Sequence, residues 1–331
     1  MHDFSIDRII TINSINEMYS SVLEKAKYTG GSIRDFPQIE LKGGNAVNIA
    51  YSLAKLGMKV NLFTIADEIG ESILKQIFSK FGNEVNVKIS EGKQGLTTIL
   101  EFPNEKGDKV NVMLGDLGDI NKFGPEKIDS KEHLDILANA DVIVIVNWSS
   151  NLSGTKLIEY VFANYPNARR FLAPADLESR RDEFYNSIKK ISEIIDILSI
   201  NENEANSLAK SINLDILITE DNLNEENVKK VTKSIASDLK IKEVDLHTKI
   251  GSAWSDGKEC IFSPSFPCEV NSITGAGDVW DSADIIGYLA KLQPKDRLLV
   301  SNAYASMYIS NTSSEPVTMN ELCQFLKRNY L

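Results

Sequence analysis

Apolar positions along the chain switch between two periods. Residues 8–13 (RIITIN) alternate as a strand does, and 28–41, with Gly30-Gly31 and Pro37 among short β-like pieces, reads as a loop-and-strand excursion. At 46–56 the spacing turns helical: Ala46, Val47, Ile49, Ala50, Leu53, Ala54 and Leu56 share a face, and Gly57 follows where a left-handed cap closes a helix. A short strand at 59–64 precedes a helix at 70–81 closed by Gly82, and 96–102 and 110–114 read as two strands joined by a turn at 104–108. Residues 142–146 are five consecutive β-branched aliphatics, the pattern of a strand buried on both faces of a parallel sheet. Beyond them, helices at 155–164, 181–192, 204–211 and 225–239 alternate with strands at 171–173, 195–200 and 244–247. Asp256-Gly257 between β-like runs at 252–254 and 259–262 predicts a tight hairpin. Helices at 279–291, 296–310 and 319–329 close the chain. The alternation predicts a doubly wound α/β sheet. No repeat, low-complexity tract or long linker interrupts 1–331.

Composition narrows the picture. The 331 residues are 42% hydrophobic and 25% charged, ordinary globular values that exclude disordered and collagen-like chains. The formal charge of -11 repels phosphate backbones and anionic lipids, so general nucleic-acid and membrane-surface binding is disfavoured, while a local basic pocket for one small anion stays open. No apolar window reaches the ~18 residues of a membrane span, and MHDFSIDRII has no secretory pattern. The cysteines Cys260, Cys268 and Cys323 form no C-x-x-C pair, and only His2, His133 and His247 could join them on zinc. The expected compartment is reducing and cytoplasmic.

Three glycine- or amide-rich motifs carry candidate chemistry. Thr274-Gly275-Ala276-Gly277-Asp278 opens an amphipathic run, where glycines let backbone N–H groups converge and the helix adds its positive end, an anion cradle. Asp278 beside it suits a general base for a hydroxyl; a plain helix start explains it equally well. Asp281 and Asp284 follow at three-residue steps and read as solvated or structural. Gly43-Gly44-Asn45-Ala46-Val47-Asn48 opens the first clear helix; Asn48 can both donate to and accept from a sugar hydroxyl, or Asn45 can simply cap the helix. Asn201-Glu202-Asn203-Glu204 follows a strand, where open sheets bind ligands and oxygen groups suit Mg²⁺ through water; a solvated helix start is the alternative. Gly251 to Glu259 has the wrong spacing for a phosphate-binding P-loop, and no dinucleotide fingerprint follows a strand.

In this order and spacing, the three motifs resemble those of the ribokinase-like (PfkB) carbohydrate kinases over nearly the whole chain. The resemblance implies a three-layer α/β/α sandwich with a small β-sheet lid from about 8–14, 28–41 and 95–115. It implies that Asp7, Gly43, Gly44 and Asn48 bind the sugar. By the same likeness Asn201 and Glu204 organise Mg²⁺, through water, and phosphate. Gly275, Ala276 and Gly277 cradle the transferred group beside the base Asp278, while Gly251, Asn302, Asn201, Gly275 and Gly277 meet the nucleotide. His247 falls at the strand end near the nucleotide loop, where packing explains it better than catalysis, although it could touch the nucleotide. The stretches 146–155 and 274–281 are similar to archaeal members, some of which act on ribose 1-phosphate or nucleosides and some of which use ADP. Departures are Ser272, where the family has an acidic residue that helps bind a monovalent cation, Trp280 for the common Phe, Ser282 and Ala283 for glycines, and only six residues ahead of Asp7.

The activity so implied is transfer of a phosphoryl group from ATP or ADP to a hydroxyl of a sugar, sugar phosphate or nucleoside, in a homodimer paired through its lids. The alternative is a non-catalytic sugar- or nucleotide-binding relative of the same fold. For a phosphorylated acceptor, Lys42 and Arg34 are the nearest cations in sequence, each otherwise an ordinary surface charge.

Overall fold

A computed structural model of the chain describes residues 1–104, 107, 109–271 and 273–329. The expected turn at 104–108 lies partly outside them, and the Ser272 departure wholly so. The first half runs β1 (Ser5–Thr11), α1 (Ile15–Ala26), β2 (Gln38–Gly43), α2 (Asn45–Lys55), β3 (Val60–Ala66), α3 (Glu68–Phe78), β4 (Val85–Glu91), β5 (Gly95–Pro103), β6 (Lys109–Asp116) and α4 (Lys131–Ala138). The second runs β7 (Val142–Val146), α5 (Gly154–Asn164), β8 (Arg169–Ala173), α6 (Arg181–Ile191), β9 (Ile197–Asn201), α7 (Glu202–Ser211), α8 (Glu225–Leu239), β10 (Glu243–Thr248), β11 (Gly251–Ser255), β12 (Cys260–Pro264), α9 (Ala276–Leu289), α10 (Pro294–Ile309) and α11 (Met319–Asn329).

The central sheet has the order β12-β11-β10-β9-β8-β7, parallel from β7 to β10. The hairpin at Asp256-Gly257 joins antiparallel β11 and β12. Alternation along each strand feeds two cores. Ile143, Ile145, Leu172, Leu198, Ile200, Val244 and Leu246 face the layer of α5 to α8. Val146, Phe171 and Ile197 face the layer that contains α2. The β-branched run of β7 is thus enclosed on both sides, as its composition predicts. Residues Met1 and His2 connect this sheet to the parallel pair β3-β4. The Met1 amino group donates to the Val144 carbonyl (2.6 Å), and the His2 amide donates to the Phe63 carbonyl (3.0 Å).

A separate four-stranded sheet has the order β2-β1-β5-β6. Of the segments expected in a lid, 28–37 contributes no strand. Thr29, Gly30, Gly31 and Asp35 all have positive φ, which breaks an extended run, and pairing with β1 begins only at Gln38. Three elements carry no sequence expectation. α1 buries none of its residues, so its stripe is faint. β4 and α4 are short and edge-like, with few buried positions to mark a period.

Candidate active site

Glycines bring β1, β2, α2 and α9 to one point. Gly44 has φ 93°, and a Cβ there would lie 2.7 Å from the Asp3 carbonyl oxygen. A Cβ on Gly43 would lie 2.2 Å from Asp7 Oδ1 and 2.3 Å from Ser5 Oγ, so only a glycine lets Asp7 lie against this strand. The N-terminus of α2 is capped from far away: the Asp3 carboxylate accepts from the amides of Asn45 (3.0 Å) and Ala46 (2.9 Å) and from Asn147 Nδ2 (2.7 Å). Asn45 is therefore no N-cap, and its side chain is released for another partner.

That partner is Asp278. Its Oδ1 accepts from Asn45 Nδ2 (2.8 Å) and its Oδ2 from Asn48 Nδ2 (2.9 Å). The carboxyl is 6% exposed. Burial raises its pKa to about 7; the two amides oppose the rise, and the charges of Asp3 and Asp7 add to it. Gly275 ends the preceding loop at φ 82°, with its would-be Cβ 3.2 Å from Tyr308 Oη and 3.7 Å from Asn48 Nδ2. The Ala276 amide donates back to the Ile273 carbonyl (3.1 Å) and is not available to an anion, a correction to its expected place in the cradle. Among the described residues, the amides of Gly277 and Asp278 meet no backbone acceptor and remain as the open donors of α9. Buried carboxylate, paired amides and open helix start together can take a proton from a hydroxyl and receive an anion beside it.

A family model described as pfkB family carbohydrate kinase matches residues 18–319. The chain belongs to that family. It is a phosphotransferase with an alcohol acceptor. The kinase is similar in structure to the ribokinase of Thermotoga maritima (TM-score 0.73, 18% identity, covering 98% of this chain and 97% of that one). It is likewise similar to the adenosine kinase of Sinorhizobium meliloti (0.72, 20%, 98% and 97%). An Arabidopsis thaliana ribokinase complexed with ribose and ATP matches at 0.71 and 19% identity, over 98% and 97%. These likenesses show a ribokinase-like α/β fold. No curated protein matches the chain.

Other expected residues of the kinase fall around this point with varied geometry. Asp7 accepts from Ser5 Oγ (2.7 Å), and burial raises its pKa. Asn201 and Glu204 are not a solvated helix start but a capping box in which Glu204 is buried and Asn201 partly so. Asn201 Oδ1 accepts from the Glu204 amide (3.0 Å), and the Glu204 carboxylate accepts from the Asn201 amide (3.0 Å) and side chain (2.9 Å). Burial, with Asp176 and Asp278 as nearby charges, raises Glu204 to about 7. Asp281 and Asp284 are buried rather than solvated. Asp281 accepts from Ser199, and Asp284 pairs with Arg297 Nη1 (2.8 Å).

Two expected nucleotide contacts are engaged in packing. Asn302 donates to the carbonyls of Ser263 (2.9 Å) and Pro264 (3.1 Å) and accepts from Ser252 Oγ (2.9 Å) and Trp280 Nε1 (2.8 Å). All its hydrogen-bonding capacity is used inside the protein, so its side chain pins β11, β12 and α9 rather than lining a base. Gly251, at φ 149°, is required because a Cβ would meet the Ser263 carbonyl oxygen at 2.3 Å. Lys42 leaves β2 on the face opposite Asp7, paired across from Ile6, and its Nζ lies 4.3 Å from the Tyr51 ring centre. Arg34 is exposed. A cavity of about 830 Å³ lies elsewhere, walled by Leu53, Val60, Leu62, Val142 and Leu289, and contains none of the motif residues of α9. Asp3, Asn147 and Tyr308 complete the site without a sequence signal: each acts on a partner more than 30 positions away.

Proposed function

We propose that this kinase transfers a phosphoryl group from ATP or ADP to a hydroxyl of a sugar, sugar phosphate or nucleoside, with Asp278 as the general base. The observation that carries the reading is the Asp278 carboxyl, buried at the start of α9 and held by Asn45 and Asn48. A base whose pKa is near 7 is well matched to proton transfer at neutral pH. Asp7 and Asn48 flank the glycine pair and supply the acceptor and donor groups that orient a sugar. Asn48 thus has one amide hydrogen on Asp278 and its oxygen left for the acceptor. The Gly277 and Asp278 amides stabilise charge on the migrating group. Such preorganised donors are typically worth ~2.7–4 kcal/mol each.

The structure bears on Mg²⁺ in two ways. No group of three acidic, histidine or cysteine side chains among the described residues forms a direct metal cluster. Yet the charges of Asp176 and Asp278 both raise the proton affinity of the buried Glu204, which suits a hydrated Mg²⁺ held by Asn201 and Glu204 through water. Bound there, Mg²⁺ would neutralise phosphate charge. The four-stranded sheet acts as the lid, Asp7's face toward the acceptor. The enzyme works in the cytoplasm, the reducing compartment that its free cysteines Cys260, Cys268 and Cys323 suit. None of its described helices is long and apolar enough to cross a membrane.

The test is a matrix of sugars, sugar phosphates and nucleosides against ATP and ADP, each with Mg²⁺, scored by product mass. A phosphorylated product for one acceptor class is expected. Nucleotide binding with no product anywhere in the matrix would favour a non-catalytic relative.

A further inference from the structure

The cavity of about 830 Å³ is a slot between two strand edges. Among the described residues, β7 ends the central sheet and pairs with β8 alone, while β3 pairs with β4 alone. Their other edges line the slot from opposite sides, through Val142 and Val144 on β7 and Val60 and Leu62 on β3. Leu53 of α2 and Leu137 of α4 close it above and below, each within a different one of the two cores. A strand edge presents N–H and C=O groups in a row, and buried groups of that kind need partners.

The first two residues show what fits between the edges. The Met1 amino group donates to the Val144 carbonyl (2.6 Å), and the Met1 carbonyl accepts from the Val146 amide (3.4 Å), the pattern of a parallel pair centred on Ile145. His2 pairs in parallel with Thr64, its amide on the Phe63 carbonyl (3.0 Å). Residues 1–2 are thus bonded to both edges at once. Register counts back from these pairs. Val142 stands three residues before Ile145, and Val60 four before Thr64, so both strands begin level with a position three residues ahead of Met1. Lys59 and Asp141, both exposed, mark the far mouth where an entering chain meets water. Apolar walls on both faces select apolar side chains on both faces of a strand. Burial lowers the pKa of the Met1 amino group to about 5, whereas a peptide N–H would donate the same bond with no charge to desolvate.

We propose that the slot is a strand-binding site whose occupant is an extended apolar segment of this chain, joined to the amino group of Met1 and running parallel to β7 and β3. Seated there, the segment joins the six-stranded sheet and the β3-β4 pair into one continuous sheet. Its carboxyl end leads through His2 into Asp3, which caps α2 and bonds Asn147. The strand thereby anchors the cap that frees Asn45 for Asp278. This role stands on the sheet edges, whatever acceptor the kinase uses.

Two measurements test it. First, the protein purified from the cells that make it is weighed intact and its amino-terminal peptide is read by mass spectrometry. At least three residues ahead of Met1, apolar among them, are expected; a mass that begins at Met1 would overturn the proposal. Second, the 331-residue chain is compared with two forms that carry five added residues before Met1, Val-Ile-Val-Ile-Val or Gly-Ser-Gly-Ser-Gly. The apolar extension is expected to raise Tm by about 5–10 °C and to slow hydrogen exchange at the Val144 and Phe63 amides about tenfold or more. The Gly-Ser extension is expected to do neither. No gain from the apolar extension would overturn the strand. Equal gains from both would reduce the effect to loss of a buried charge and overturn it too. A gain that grows with protein concentration, with a dimer in light scattering, would seat the segment of a second copy and overturn the intramolecular strand.

Discussion

Asp278 shows how burial sets chemistry at the scale of a residue. Its carboxyl is raised to about 7 because water is excluded, although Asn45 and Asn48 both favour the charged form. Only the carboxylate can accept the hydroxyl proton. The logarithm of kcat/KM should therefore rise with unit slope up to about pH 7 and then level off; a flat profile from pH 5 to 8 would remove Asp278 from the base role. Asp278→Asn should lower kcat by about 10²–10⁴-fold while nucleotide Kd changes little. The same variant reports on stability. The folded pKa lies above the unfolded value of about 3.8, so folding takes up a proton between these values and stability falls as pH rises through the window, levelling above about 7. Asn removes that cost. The Tm advantage of Asp278→Asn over wild type should be small near pH 4, grow as pH rises and reach a plateau above about pH 7. Thermal scans across that range check it, and an advantage that shrinks with pH would contradict it.

Helices and strands are held in place around this residue by long-range polar contacts. Arg297 on α10 is 1% exposed and bonds Asp245 on β10 (2.7 Å), Asp284 on α9 (2.8 Å) and Glu243 (2.8 Å). The ion network ties the rear of α9 to the sheet, so the front turn with Asp278 inherits its position. Burial keeps Asp245 and Asp284 raised while the guanidinium pulls the other way. Arg297→Ala should destabilise by about 3–5 kcal/mol, because it leaves buried carboxylates without a counter-charge. Denaturant unfolding measures this, and a loss under about 1 kcal/mol would mean the network relaxes or admits water. Apolar spacing cannot show such a tie: α9 reads as amphipathic, while its buried face includes Asp278, Asp281 and Asp284.

For the whole molecule, the separate sheet leaves several apolar side chains exposed. On the face away from Asp7, Leu96, Val112 and Leu114 are 40%, 45% and 56% exposed. Pairing with the same sheet of a second copy would cover them. The expected species in light scattering is a dimer, and Val112→Asp/Leu114→Asp should convert it to a monomer; a monomeric wild type would end the proposal.

Much of the layered sheet was legible in the sequence because its signals are local. The run 142–146 marks a strand enclosed on both faces, and the 3.6-residue spacing of 225–239 coincides with α8. Gly57 closes α2 at φ 84° as its position implies. The glycine motifs also mark where segments approach closely, since backbone packed that tightly can tolerate little else. The partners were illegible. That Asp3 caps α2, that Asn45 turns to Asp278 and that Asn302 is consumed by packing depend on which strands the fold brings together. Residue type and spacing thus determined the order of elements and the glycine turns. Burial and hydrogen bonding between distant segments decided which polar groups are left open for chemistry, because those energies exist only once the chain has folded.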